Sequence, residues 1–155
     1  MISLIAALLI GVIAGLRAMA APAAVSWAAQ LGWINLSATP LAFLGYMWTP
    51  YIFTALALVE LVTDQLPSSP SRTVPAQFGA RIVSGAFCGA AIGAAAGSLI
   101  PGLIAGAIGA VLGTLGGAAV RARLAAAFGK DMPAALIEDV VAIGGALAIV
   151  RTVVA

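Results

Sequence analysis

A glycine repeat constrains this chain more than any other feature of its sequence. Glycines recur every three or four residues on both sides of a Pro-Gly turn, at Gly85, Gly89, Gly93, Gly97, Gly106, Gly109, Gly113 and Gly117. Such spacing keeps the glycines on one helix face. Glycine lowers helix stability in water, whereas in lipid a face of small residues lets two helices approach closely. We therefore predict that residues 79–120 form an antiparallel pair of transmembrane helices that is the packing core.

The composition is that of a membrane protein. Of the 155 residues, 63% are hydrophobic and 8% are charged, whereas soluble domains are about 25% charged. At roughly 20 residues per span, the length predicts about five transmembrane helices in one all-α domain that covers residues 1–155. The bilayer is then the main partner. The seven Lys and Arg residues are scattered, which argues against nucleic-acid binding.

The chain has no histidine and one cysteine, Cys88. The lack of histidine excludes histidine metal sites and the Ser-His and Cys-His forms of catalysis. No nucleophile elbow is present either. We therefore expect a protein that is not an enzyme and that holds neither a metal nor a cofactor.

Prolines and short polar stretches divide the apolar sequence. The first helix is predicted to start near residue 2 and to be kinked, broken or re-entrant near Pro22, with 22–35 helical, interfacial or re-entrant. Pro50 should kink or divide the second helix, and the prolines and serines of 67–75 predict a loop. The later helices are expected at 41–66, 78–99, 102–121 and 134–154.

The basic residues indicate an orientation. The loops at 67–81 and 121–133 should lie on one side of the helix hairpin, and they contain most of the cations: Arg72, Arg81, Arg121, Arg123 and Lys130. The positive-inside rule places this side in the cytoplasm. We predict that the N-terminus is cytoplasmic and the C-terminus periplasmic. Arg121, Arg123 and Lys130 are expected to contact anionic lipid headgroups.

A few ionisable residues stand out in the apolar background. Arg17 falls inside the first predicted span, where a charge costs at least a few kcal/mol. It could form an ion pair, bind an anionic group or reach the interface. Glu60 and Asp64 are four residues apart and share a helix face. They could bind a cation, relay protons, or form a salt-bridge cluster with the arginines of the following loop.

Glu138 and Asp139 fall in the first turns of the last helix. They are adjacent and therefore point to different faces. Both could simply complement the helix dipole. Glu138 is the better candidate for a functional role, because its position among the neighbouring apolar residues does not force it outward.

Two short elements carry a family resemblance. They are Gly15-Leu-Arg17-Ala-Met-Ala-Ala-Pro22, and Glu60-x3-Asp64-x2-Pro67 followed by Arg72, Pro75 and Arg81. With these motifs the chain resembles a family of small bacterial integral membrane proteins, a domain of unknown function of the 4126 type. The resemblance covers nearly the whole chain and implies the bacterial inner membrane, but no substrate, reaction or cofactor. Other branches carry an acidic residue after the second element where this chain has serines, which argues against a metal role for that loop.

The leading functional hypothesis is a small homo-oligomeric protein that transports or conducts a small solute or an ion. Its pathway would be lined by Arg17, Glu60, Asp64 and Glu138. The loop at 67–75 would gate it, with Arg72 and Arg81 as gating or ion-pairing residues. The alternative is a non-catalytic scaffold or accessory subunit in which the charges form structural pairs and the glycines bind other helices or lipid.

Overall fold

The computed structural model describes residues 1–66, 68 and 71–153, which form α-helices and one 3-10 turn and contain no strand. The helices are α1 (Ile2–Leu16), α2 (Ala20–Gln30), α3 (Thr49–Thr63), α4 (Pro75–Ala95), α5 (Leu99–Phe128) and α6 (Asp131–Thr152), and the 3-10 turn is Ala42–Gly45. The all-helical fold agrees with the prediction. By length and composition, α4, α5 and α6 could cross a membrane.

Two helix boundaries differ from those predicted. Pro50 does not interrupt a long second helix, because α3 begins at Thr49 and has this proline in its first turn. There a missing N–H costs nothing. The helix α5 continues past Arg121 to Phe128, since residues 121–128 contain neither glycine nor proline. It ends at Gly129, whose left-handed φ of 69° terminates the helix.

The first predicted span is broken upstream of Pro22. The helix α1 ends at Leu16, Arg17 has an extended backbone, and α2 begins at Ala20. Pro22 lies in the first turn of α2 and does not itself interrupt a helix. Residues 17–19 thus form a short break between two helices, and they lie inside the protein, where Arg17 is fully buried.

Glycines let α4 and α5 pack backbone against backbone in antiparallel directions. A Cβ built on Gly85 would lie 2.7 Å from the carbonyl oxygen of Gly106. Further along the same contact, Gly89 and Gly93 meet Gly102 in the same way. No larger residue fits at these positions unless the two helices separate.

Two glycines from the second half of the repeat pack against α1 and not against α4. Gly109 and Gly113 face the backbone of α1 near Leu8 and Val12. In return Gly11, which lies outside the predicted repeat, faces Gly106. The helix α5 is therefore the centre of a three-helix core, and α1 runs parallel to it.

Two members of the repeat have other surroundings. Gly97 was predicted to pack between helices, but it lies in the turn between α4 and α5 with a φ of 71°, and a Cβ on it would meet nothing within 4 Å. That prediction is wrong, because this glycine supplies a left-handed turn conformation. Gly117 faces the side chain of Leu16 and the guanidinium of Arg72, not a backbone.

The direction of α1 corrects the predicted placement of the N-terminus. Two connections, α3 to α4 and α5 to α6, lie at the same end of the bundle. We call this end the basic end. Met1 lies beside Pro101, at the opposite end. The prediction that the N-terminus shares the side of the basic loops is therefore wrong. It treated α1 as a complete span, whereas the chain reverses at 17–19. The guanidinium carbon of Arg151 lies 5.1 Å from the centre of the Trp33 ring, just after α2. The chain has therefore returned to the end opposite the basic end.

Candidate functional site

All five acidic residues of the chain take part in ion pairs near the basic end. We call this group the charge cluster. Its members are Arg17, Arg72, Arg81, Arg121, Glu60, Asp64, Asp131, Glu138 and Asp139. It draws residues from the helix break, the end of α3, the segment leading into α4, and α4, α5 and α6 themselves. The charge cluster thus connects α3, α4, α5 and α6 to the break between α1 and α2.

Arg17 is fully buried and bound by two carboxylates. Its Nη1 pairs with Asp64, and its Nε donates a hydrogen bond of 2.7 Å to Oδ1 of Asp139. Gln65 donates to the second oxygen of Asp139 at 3.2 Å. A buried guanidinium needs such partners, because an unpaired charge in an apolar interior is very costly. Of the interpretations open from the sequence, the geometry matches the ion pair.

Glu60 binds the backbone immediately before α2. Its carboxylate oxygens accept hydrogen bonds from the backbone N–H groups of Ala18 and Met19, at 2.7 and 2.8 Å. The first N–H groups of a helix have no partner within the helix, and the helix dipole favours an anion there. Glu60 therefore satisfies donors that the broken helix would otherwise leave buried and unpaired.

Arg81 caps the other side of the break. Its Nη1 donates to the carbonyl oxygens of Gly15 and Leu16, at 3.0 and 2.6 Å, where α1 ends. A cation at a helix C-terminus complements the dipole. Its Nη2 lies 3.6 Å from Asp64 and 3.9 Å from Glu60. Arg81 and Glu60 together stabilise a backbone break in the middle of the protein.

The other half of the charge cluster is centred on Glu138. Both of its carboxylate oxygens pair with Arg72, one of them at 2.8 Å from Nη2, and Arg121 Nη1 lies 3.2 Å away. Arg121 also donates to Asp131, at 3.0 and 2.6 Å. Within the described part of the chain, Arg123 and Lys130 are exposed and have no ion pair. Of the loop predicted to be a gate, Pro67, Ser69 and Pro70 lie outside the described residues.

The structure brings together most, but not all, of the predicted site residues. Arg17 meets Asp64 directly, whereas Glu60 binds the backbone next to Arg17. Glu138 belongs to the other half of the cluster. Sequence reasoning missed the contact of Asp139 with Arg17, across 122 positions. The sequence shows only that Asp139 is adjacent to Glu138. This adjacency does not reveal which helix each of the two carboxylates faces.

A polar cleft and an apolar pocket adjoin the half of the charge cluster that contains Arg17. A polar cleft of about 610 Å³ opens at the basic end and is lined in part by Asp64 and Arg81. A smaller apolar pocket of about 180 Å³ lies between α2, α3 and α6, and both Arg17 and Glu60 line it. Since Arg17 pairs with Asp64 and Glu60 with Arg81, these ion pairs separate the polar cleft from the apolar pocket.

Comparison with known proteins identifies a family. Within residues 1–66, 68 and 71–153, no three His, Cys, Asp or Glu side chains are grouped to hold a metal ion. No curated protein and no solved structure is similar enough to the chain to be a match. The profile of the family described as "Domain of unknown function (DUF4126)" matches residues 4–154, nearly the whole chain. The chain therefore belongs to the DUF4126 family, whose description assigns no function.

Proposed function

We propose that this is a small multi-pass protein of the bacterial inner membrane that transports or conducts a small solute or ion past the charge cluster. The apolar helices α4, α5 and α6 support the membrane location. The exposed surface is rich in large apolar side chains, for example Val140, Val83 and Ile100. Ionisable groups inside such a bundle need a structural or functional reason to be there.

In the proposed arrangement α4, α5 and α6 cross the membrane as complete helices, and the shorter α3 crosses together with the segment that precedes it. The hairpin of α1 and α2 enters from the end opposite the basic end and reverses at 17–19. Irregular backbone is tolerated at membrane depth when it is buried in protein and its polar groups are paired. The positive-inside rule then places the basic end in the cytoplasm, and Met1 and Val153 on the periplasmic side.

The observation that carries the transport proposal is the position of the ion pairs between two cavities. A solute that enters the polar cleft first meets Asp64 and Arg81. Beyond these lie Arg17 and Glu60, which face the apolar pocket. Transporters commonly place their binding sites where a broken helix exposes charged and backbone groups near the bilayer centre. A change of partners within the cluster would connect the two cavities.

A scaffold or accessory subunit is the second candidate, and a specific observation favours it. Glu60 and Arg81 bind the backbone of the helix break, which is a structural role. The contacts of α5 with α1 and α4 are also too close to leave a passage between these three helices. In this case the charge cluster would hold the fold together and nothing would move through it.

Flux measurements in liposomes separate the two candidates. Asp64 is the best position to change, since its side chain is 24% exposed on the cleft wall and caps no backbone. If a cation in the cleft binds the Asp64 carboxylate, Asp64→Asn removes a charge-assisted contact of about 1.5–3 kcal/mol with that cation, so we expect about ten- to hundredfold slower cation flux. The probes are K⁺, Na⁺, chloride, phosphate and protons. Lys130→Gln, an exposed change outside the cleft, should retain the wild-type rate.

Wild-type flux that Asp64→Asn does not slow would contradict a pathway through the charge cluster. An absence of flux for every probe, with the protein correctly folded, would favour the scaffold.

The mass of the purified protein in detergent tests the predicted homo-oligomer.

A further inference from the structure

A groove on the outside of the bundle has no role in the proposed transport pathway. It lies between α5 and α6, with α1 as its floor, and has a volume of about 280 Å³. We call it the lipid groove. Its walls are almost entirely apolar, and they include Val12, Leu16, Ile137 and Val141. Three glycines of α5 line it, Gly113, Gly116 and Gly117, and at Gly116 a Cβ would meet nothing within 4 Å, so the lack of a side chain there leaves the groove open.

The length of the lipid groove matches one leaflet of a bilayer. It is lined from Leu112 to Leu124, which at 1.5 Å per residue is about 18 Å along α5. The hydrocarbon core is about 30 Å thick, so one leaflet is about 15 Å deep. One end of the groove reaches Arg121 and Glu138, and the other lies towards the middle of α5.

The charged end of the groove favours an anionic headgroup. Arg123 lies between the lining residues Arg121 and Leu124 of α5, and Lys130 lies in the connection to α6. Both are exposed, and neither has an ion pair with any described residue. We propose that the lipid groove binds an acyl chain of an anionic phospholipid, whose phosphate contacts Arg123 and Lys130. This proposal does not depend on transport.

The size of the groove favours a single chain over a second protein molecule. A helix is at least about 10 Å wide, so a segment about 18 Å long would occupy about 1,400 Å³. The non-atom space between the groove walls is about 680 Å³, about half of that volume. A helix of another copy could therefore only lie across its mouth, whereas an acyl chain fits inside.

Native mass spectrometry of the purified protein tests the proposal. The protein is equilibrated with equal amounts of phosphatidylglycerol and phosphatidylcholine that carry the same acyl chains. Wild type should retain phosphatidylglycerol selectively. The double variant Arg123→Gln/Lys130→Gln should lose the selectivity, by about fivefold for each cation removed. Gly116→Leu fills the groove and should lose the bound phosphatidylglycerol.

Matched controls separate groove filling from misfolding. A Cβ added at Gly116 or at Gly79 would meet nothing within 4 Å, and Gly79 lies on α4, which does not line the groove. Gly79→Leu and Arg151→Gln should therefore behave as wild type. Equal retention of the two lipids by wild type, or full retention by Gly116→Leu, would overturn the proposal. A dimer that Gly116→Leu dissociates would also overturn it, and would assign the groove to a second copy.

Discussion

Arg17 explains why this apolar chain keeps charges in its interior. The helix break at 17–19 leaves backbone donors and acceptors unpaired, and Glu60 and Arg81 satisfy several of them. Arg17 itself lies in the break and binds Asp64 and Asp139. At the scale of the residue, the charges and the break therefore require each other.

Replacing Arg17 should destabilise the fold strongly. Arg17→Gln leaves the carboxylates of Asp64 and Asp139 without their guanidinium, and breaking a buried pair in this way costs about 3–5 kcal/mol. Adding Asp139→Asn removes one orphaned charge, so the double variant should recover about 0.5–3 kcal/mol relative to additivity. Unfolding by denaturant in detergent micelles, followed by circular dichroism, measures both effects. Arg17→Gln with wild-type stability would show that the pairs do not support the fold.

The helices α1, α4 and α5 form one unit because glycine lies wherever their backbones meet. On α4, Gly85, Gly89 and Gly93 contact the backbone of α5. On α5, Gly109 and Gly113 contact the backbone of α1. The face of α5 is thus shared between two partners of opposite direction. The glycines of α5 therefore allow close packing with two different helices, α4 and α1.

An alanine at Gly106 should push α4 and α5 apart. A Cβ there would lie 2.9 Å from both the carbonyl carbon of Gly85 and the Cα of Gly89. Since these are backbone atoms that cannot rotate away, Gly106→Ala should cost about 1–3 kcal/mol. Gly116→Ala is the control, because its added Cβ meets nothing, and it should be neutral or slightly stabilising. Thermal unfolding in detergent compares the two, and equal melting temperatures would contradict the packing argument.

The whole molecule has its charge cluster at one end and both Met1 and Val153 near the other. The parallel course of α1 and α5 sets this arrangement, because α1 starts beside the turn that opens α5. The hairpin of α1 and α2 thus begins and ends at the end of the bundle opposite the basic end.

Cysteine labelling tests the proposed arrangement in the membrane. In a Cys88→Ala background, Ser37→Cys should react with a membrane-impermeant maleimide in intact spheroplasts, since Ser37 is exposed near the periplasmic end. Ser71→Cys should react only after the membrane is opened. Labelling of both positions from one side would contradict the crossing of α3, which lies between them, and the reverse pattern would contradict the orientation.

The class of fold and the available chemistry could be predicted from the residues alone. Apolar composition predicted the helices, and glycine spacing predicted a face of close approach. The absence of histidine limited the possible reactions. These conclusions depend on residues near one another in the chain, for which helical periodicity is a sufficient guide.

The partners that these residues contact could not be predicted in the same way, because they depend on how the helices pack. Periodicity identifies a helix face but not the helix that covers it, so Gly109 and Gly113 could not be assigned to α1 from the sequence. The pairing of Arg17 with Asp139 joins residues 122 positions apart, and the turn role of Gly97 depends on where α4 ends. The direction of α1 follows from a break whose polar groups are satisfied by α3 and α4, and such contacts arise only once the helices have packed.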